Sequence, residues 1–500
     1  MPRPNILLIT SDQQHWNTIS CRNSEIKTPA LDRLAKEGTL FTRAYCPNPT
    51  CTPTRSSIIT GKHPREHGAW SLGTKLMETQ HTVGEDFTAH NYRTALVGKA
   101  HFQQLFESGK YTSLESYPIM QDLDFWRNFN EPFYGFEHVE LLRNHCDEAH
   151  AGQHYAIWME EKGFDNWQDF FQAPTGSRAS KDTRWEIPEE LHYNNFISER
   201  TNALLEKYNN EDESFFLWAS FPDPHPPYLV PDPWHDMYDS ANLTVPHVTR
   251  GEHENNPEHF QMTQTEKPDF SAWDEDGQSM HGMHSHLSSD EDLAHNMAVY
   301  YGMMSYTDHH VGKILDKLDE LGLADNTIVV YTTDHGHFFG QHGLIAKGPF
   351  MYEDMIKLPF LVRYPNHVPA NMESNALQSL VDLAPTFLDF CDIEIPFEMT
   401  GKSQKENWLQ GSHVRDHIIC EHHHEPTTIH VKTYVNKRYK LTVYLNRDYG
   451  EVFDLELDPE ELNNLWNDPE FQDLKNQLIC ELLHADMAKE SMPMPRVCGA

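Results

Sequence analysis

Cysteine is sparse and unpatterned in this 500-residue chain: Cys21, Cys46, Cys51, Cys146, Cys391, Cys420, Cys480 and Cys498 are scattered, with no Cys-x-x-Cys pair. That scatter excludes a thiolate zinc module and a disulfide-dense secreted scaffold, and it predicts a reducing cytoplasm. Long hydrophobic runs are missing too. Nothing approaches the ~18 uninterrupted apolar residues of a membrane span. The N-terminal run Asn5-Ile6-Leu7-Leu8-Ile9-Thr10 is too short for a signal-peptide core and reads as a strand. Basic residues are few: 39 Lys and Arg stand against 76 Asp and Glu, a formal charge of −37. Such a field repels phosphate backbones and anionic lipid surfaces, so neither nucleic acid nor a membrane is an expected partner. An anionic small molecule remains admissible, because a metal ion and a few cations can reverse the sign locally. Repeats and low-complexity tracts are absent as well.

What the chain does contain is an alternation of short apolar runs and helical patterns through its first 390 or so residues. Residues 5–10, 94–97, 215–220, 327–332 and 360–362 read as buried strands. Between two of them, Ser289 with Asp290, Glu291 and Asp292 makes an N-terminal cap. Leu293, Met297, Tyr300, Met304, Val311, Leu315 and Leu318 then recur at helical spacing, and Gly322 suits the far end. Strand, helix, strand in this order implies an α/β fold with a mostly parallel central sheet flanked by helices, its ligands beyond the carboxyl ends of the strands. Residues 121–185 and 231–289 break the pattern and read as long excursions on the loop side. After Gly401 the composition shifts: 431–444 and 451–457 read as strands and 473–487 as an amphipathic helix. The division expected is a catalytic domain over 1–395 and a smaller C-terminal α+β domain over 396–500.

Two groups of residues could carry chemistry. Thr10-Ser11-Asp12-Gln13-Gln14 follows the first strand, and Asp334-His335-Gly336 follows the strand over 327–332. Taken singly, each acid reads most simply as a turn cap. Delivered to one sheet edge, the two carboxylates and a histidine make a mixed oxygen and nitrogen site for a divalent ion. The second group is Cys51-Thr52-Pro53-Thr54-Arg55, continuing Ser56-Ser57-Ile58-Ile59-Thr60-Gly61.

That run resembles the signature of type I sulfatases, Cys-x-Pro-x-Arg followed by a small-residue helix and Thr-Gly. The likeness extends along the chain: Pro4-Asn5-Ile6-Leu7 into Asp12, Thr28-Pro29-Ala30-Leu31, Gly98-Lys99-Ala100-His101, Pro224-His225-Pro226-Pro227-Tyr228, Asp334-His335-Gly336, Lys347-Gly348, and Glu451 through Leu465 all resemble family elements in family order. The resemblance implies the alkaline-phosphatase-like α/β fold and hydrolysis of a sulfate monoester to alcohol and sulfate. It implies one divalent metal held by Asp12, Gln13, Asp334 and His335 with Cys51 at the same centre, Ca2+ favoured and Mn2+ or Mg2+ as alternatives. It also implies that Cys51 is oxidised by a formylglycine-generating or equivalent maturation enzyme to formylglycine (3-oxoalanine), whose hydrate is the nucleophile. Cys51, Arg55, Lys99, His101, His225 and Lys347 are the catalytic set. His225 or Lys347 is the general acid, and His101 receives a proton when sulfate leaves. The cations suit three anionic ester oxygens.

There are departures. Gln13 stands where many members have a second acid; choline sulfatases and phosphonate monoester hydrolases resemble the Asp-Gln arrangement, whereas Lys99-x-His101 looks like sulfatases. The alternative reading is therefore a phosphonate monoester or phosphodiester hydrolase with the same nucleophile, and beyond it a non-catalytic metal-binding relative in which Cys51 stays a thiol. The substrate expected is a small-molecule or saccharide sulfate ester. Trp126, Trp158, Trp167, Trp185, Trp234 and Trp273 in the excursions could stack on its ring or simply pack. A homo-oligomer is left open.

Overall fold

All seven residues of Asn5–Ser11 (β1) are buried, as a strand covered on both faces must be. The computed structural model describes residues 3–143, 151–171, 182–275, 282–492 and 494–498; Cys146 lies outside them. β1 is joined in an eight-stranded sheet by Thr39–Phe41 (β2), Arg93–Lys99 (β3), His138–Leu142 (β4), Phe215–Ser220 (β5), Thr327–Thr333 (β6), Leu361–Arg363 (β7) and Met372–Ser374 (β8), in the order β8-β2-β7-β6-β1-β5-β3-β4. The run β6-β1-β5-β3-β4 is parallel throughout, and β7 is antiparallel to both of its neighbours. Side chains alternate across it. Ile6, Leu8, Trp218 and Val330 enter one core, while Leu7, Ile9, Leu217 and Val329 enter the other.

Helices Pro29–Glu37 (α1), Cys51–Thr60 (α2), Pro64–His67 (α3), Tyr193–Glu211 (α4) and Asp290–Glu320 (α5) surround the sheet. α5 forms as its sequence dictates: Ser289 Oγ accepts from the Asp292 amide, three acids occupy the first turn, and the apolar residues named above are buried. One strand departs from expectation. β4 lies inside 121–185, which the sequence reading treated as a loop-side excursion. At the sheet's edge its first four residues alternate half-buried and buried, and Leu142 is buried as well, so they show neither a continuous apolar run nor a long period.

The C-terminal unit is an antiparallel meander of His417–His424 (β9), Ile429–Asn436 (β10), Tyr439–Tyr444 (β11) and Gly450–Asp454 (β12), with helix Gln472–Ala488 (α6). The stretch read as one strand over 431–444 is a hairpin. Asn436 Oδ1 accepts from the Arg438 and Tyr439 amides and turns the chain. Ile419, Leu441 and Val452 pack against Leu478 and Leu482 of α6, while Ile418, Cys420 and Val431 join the core of the large sheet. The Glu421 amide donates to Pro47 O at 2.8 Å and Asn48 Nδ2 donates to Glu421 O at 2.7 Å. β9 is thereby tied to the segment that leads into Cys51. Among the described residues, no helix is long and apolar enough to cross a membrane.

Candidate active site

Parallel register brings the chemistry together. Thr10 of β1 pairs with Ser220 of β5 and Thr332 of β6, and Gly98 of β3 also pairs with Ser220. Asp12, Lys99 and Asp334 therefore emerge side by side at one carboxyl edge. The close approach needs glycine at position 98, where φ is +105° and a Cβ would stand 2.0 Å from Ser220 O. Cys51 arrives from the other direction, as the first residue of α2. Asn48 Oδ1 accepts from the Thr50 amide and hydroxyl and fixes the entry. Pro53 is tolerated in the first turn, where no helical N–H bond is lost.

At this edge Cys51 Sγ lies 3.2 Å from His335 Nε2, 3.6 Å from Lys347 Nζ and 3.8 Å from Asp12 Oδ1. Asp12, Cys51, Asp334 and His335 each present a ligand atom within 4.8 Å of the others, all buried. Arg55 spends its donors on this frame: Nε to Asp334 Oδ2 at 2.8 Å, one terminal nitrogen to Asp12 Oδ2 at 3.3 Å, the other to Lys99 O and Ser220 Oγ. Lys99 Nζ contacts Asp12 Oδ2 directly. Burial opposes ionisation of Asp12, yet Lys99 and Arg55 hold its carboxyl far below the carboxylate range. Burial, then the Asp12 charge, pushes the Cys51 thiol up to about 11. An unmodified Cys51 is thus a protonated, weak nucleophile at neutral pH.

His225 Nδ1 lies 2.5 Å from Pro226 O, so Nδ1 must be the donor. Its Nε2 then offers a lone pair to Lys347 Nζ at 2.8 Å. Burial, reinforced by Lys347, keeps this imidazole neutral. His101 has φ +54°, is buried, and its Nδ1 has no hydrogen-bond partner among the described residues. Glu115 holds it in place by accepting the His101, Phe102 and Gln103 amides at 2.6, 2.8 and 2.8 Å. Nothing in the local sequence marks Glu115, because it acts on backbone amides.

Do these residues fit a metal ion? His335 Nδ1 donates to Gly336 O at 3.1 Å, which leaves Nε2 as a ligand lone pair. Gln13 has φ +58°; its Nε2 lies 2.9 Å from His337 Nδ1, and His337 Nε2 lies 3.0 Å from Tyr228 Oη. That chain leaves Gln13 Oε1 buried with no hydrogen-bond partner. Two carboxylates, an imidazole nitrogen and an orphaned amide oxygen are the donor set of a hard or borderline divalent cation. They fit. His337 is the residue the sequence reading passed over, although it stands two positions beyond His335.

Of the two readings of the excursion tryptophans, packing prevails for most. Trp126, Trp158, Trp167, Trp185 and Trp273 are buried in the cores, and the indole N–H of Trp126 and of Trp185 is satisfied by a backbone carbonyl. Trp234 is partly exposed, but its ring lies tilted against Tyr306 with centroids 4.8 Å apart.

Known proteins resemble this chain over nearly its whole length. The family profile described as "Sulfatase" matches residues 4–393, and that described as "N-sulphoglucosamine sulphohydrolase, C-terminal" matches residues 340–488. The chain is 28% identical over 490 residues to an arylsulfatase of Clostridium perfringens, covering 96% of this chain and 94% of that protein. It is 26% identical over 514 residues to an N-acetylglucosamine-6-O-sulfatase of Bacteroides thetaiotaomicron, covering 95% and 85%. The solved phosphonate monoester hydrolase of Agrobacterium radiobacter superposes with a TM-score of 0.79 at 21% identity, over 97% of this chain and 96% of that one, a likeness of fold.

Proposed function

The chain belongs to the sulfatase family of the alkaline phosphatase superfamily and is a sulfuric ester hydrolase; we propose that it works through formylglycine at position 51 and one divalent cation held by Asp12, Gln13, Asp334 and His335. The observation that carries the reading is the placing of Cys51 at the start of α2, against His335, Lys347 and Asp12. The hydrated aldehyde supplies one hydroxyl to attack sulfur and a second on the same carbon for expelling sulfate, and the cation supplies Lewis acidity toward the ester oxygens. Ca2+ is the ion proposed, with Mn2+ or Mg2+ as alternatives because His335 contributes nitrogen.

The remaining work falls to this chain's own side chains. Lys347 holds a proton beside position 51 and delivers it to the departing alcohol oxygen, while His225 Nε2 orients the ammonium. His101, neutral and with an unengaged Nδ1, accepts the proton released as sulfate departs. Arg55 and Lys99 hold Asp12 ionised, and Arg55 also secures Asp334. Because Cys51 is buried, a formylglycine-generating or equivalent enzyme must reach it before the fold closes.

For substrate we propose a small-molecule or saccharide sulfate, a choice supported by the N-acetylglucosamine-6-O-sulfatase relative. A cytoplasmic location is supported by the described cysteines, all free. A sulfate-release screen against aryl, choline and carbohydrate sulfates, on protein whose position 51 has been checked by mass, tests the reading. Gln13 in place of a second acid favours one further reading, a phosphonate monoester or phosphodiester hydrolase with the same nucleophile. Faster turnover of an aryl phosphonate than of an aryl sulfate would establish it.

A further inference from the structure

Tyr300 lies on the stripe of α5 that helical spacing assigns to the core, and it is fully buried. Its hydroxyl, however, is spent outside the helix. Oη donates to Gln13 O at 2.8 Å and accepts the His15 amide at 2.9 Å, so one oxygen bridges the two sides of residue 14 in the loop after β1. The ring stacks on His337, with centroids 4.9 Å apart at 27°, and meets Tyr228 edge-on at 6.0 Å and 77°. His337 and Tyr228 form the chain that engages Gln13 Nε2. Tyr300 thus touches the backbone of Gln13 and both residues behind its side chain. Nothing in the proposed reaction uses Tyr300.

The loop needs such a brace. Gln13 has φ +58°, a left-handed conformation that a residue with a Cβ adopts only at a cost. The Gln13 amide donates to Asp334 Oδ1 at 3.1 Å and the Gln14 amide to Thr333 Oγ1 at 3.1 Å, both partners at the carboxyl end of β6. Those bonds hold N–H groups; Tyr300 holds the carbonyl. Burial raises the pKa of its hydroxyl well above the ordinary value, so the donor keeps its proton at neutral pH. With phenylalanine in its place, Gln13 O and the His15 amide lose this partner inside the protein, and the chain gains a reason to leave the left-handed turn. What the turn presents is Gln13 Oε1, buried and without a hydrogen-bond partner, next in the chain to Asp12.

We propose that Tyr300 is a positioning residue that makes Gln13 an oxygen donor and so decides which ion the site prefers, an inference that rests on the metal site proposed above. Ca2+ draws its affinity from about six to eight oxygens, and a lost amide oxygen weakens it directly. Zn2+ needs only about four ligands, and Asp12, Asp334 and His335 already supply the carboxylate and imidazole donors it favours. Without the brace, the preference for Ca2+ over Zn2+ falls.

The test uses full-length enzyme with verified formylglycine, stripped of metal and titrated with Ca2+ and with Zn2+ against chromophoric chelators. Tyr300→Phe keeps the ring and its stacking and deletes only the hydroxyl. It should raise the Ca2+ dissociation constant by about 10- to 100-fold and the Zn2+ constant by no more than about threefold. Gln13→Ala should do the same, and adding Tyr300→Phe to it should change neither constant further, because the brace then has nothing to aim. The wild type reads the same coupling without a substitution: hydrogen exchange in the peptide containing His15 should slow more with Ca2+ than with Zn2+. Unchanged Ca2+ affinity, equal weakening of both ions, additive effects of the two substitutions, or equal protection by both ions would overturn the positioning role, while Ca2+ binding by the wild type still upheld the metal site. Wild type that binds neither ion would overturn both.

Discussion

Removing Lys347 should change how strongly the rate depends on the alcohol being expelled. Its ammonium lies 3.6 Å from Cys51 Sγ and 2.8 Å from His225 Nε2. Because His225 commits its one proton to Pro226 O, the imidazole has none to give from Nε2, and in the mechanism proposed here the proton for the leaving oxygen comes from Lys347. A positioned general acid is worth about 10²–10⁴-fold. That benefit is needed in full by an alkyl alcohol and scarcely at all by an acidic nitrophenol. Lys347→Met should therefore cost about two to four orders of magnitude on an alkyl sulfate beyond whatever it costs on 4-nitrophenyl sulfate. His225→Ala keeps the proton but releases the ammonium, so its selective loss should have the same sign and be smaller. The assay is kcat/KM for the three proteins over aryl sulfates graded by phenol acidity, ending with an alkyl sulfate. The variant plots should be steeper than wild type. Parallel plots, however large the common loss, would refute Lys347 as the acid.

Further outcomes follow from the frame around position 51. Asp12→Ala and Asp334→Ala each remove one of the charged ligands proposed for the metal, at a site already one carboxylate short, so metal content measured by elemental analysis should vanish and activity fall by several orders of magnitude; full occupancy in both would contradict the site. Tyr228→Phe and His337→Ala release the amide of Gln13, and chelator competition should show metal binding weakened by about 10- to 100-fold; unchanged affinity would contradict the orientation of that amide. Glu115 tests a linkage. Burial raises its carboxyl from 4.5 to about 7, so the folded chain holds this proton more tightly than the unfolded one. Its contribution to stability is present below pH 4.5 and lost as pH rises through 7. Wild type should lose thermal stability relative to Glu115→Gln across that window, and a difference in Tm that is flat with pH would contradict it.

How much of this could be read from the sequence depends on whether a residue acts through its own position or through its neighbours. β1 and β6 were legible because each is an unbroken apolar run closed by polar residues, and a parallel sheet then requires Asp12 and Asp334 to share an edge. Lys99 and His101 were legible only through the resemblance of Gly98-Lys99-Ala100-His101 to a family element. β4 was hidden because an edge strand of five residues needs only one apolar face. Glu115 was hidden because its partners are amides, which every residue has. The tryptophans of the excursions could have stacked on a ring or packed, and most of those indoles fill the core, whereas Trp70, from a short connection after α3, lines a cavity. Gln13 was visible as a substitution. That its oxygen is left unpaired by His337 is a fact of three-dimensional register alone.

The central claim, that position 51 acts as formylglycine and not as the buried thiol, is tested most directly by the mass of the tryptic peptide containing Cys51, measured across preparations alongside their specific activity. The account predicts aldehyde or its hydrate in active protein, with activity proportional to the modified fraction and absent from Cys51→Ala. Full activity from protein carrying only unmodified cysteine would contradict it.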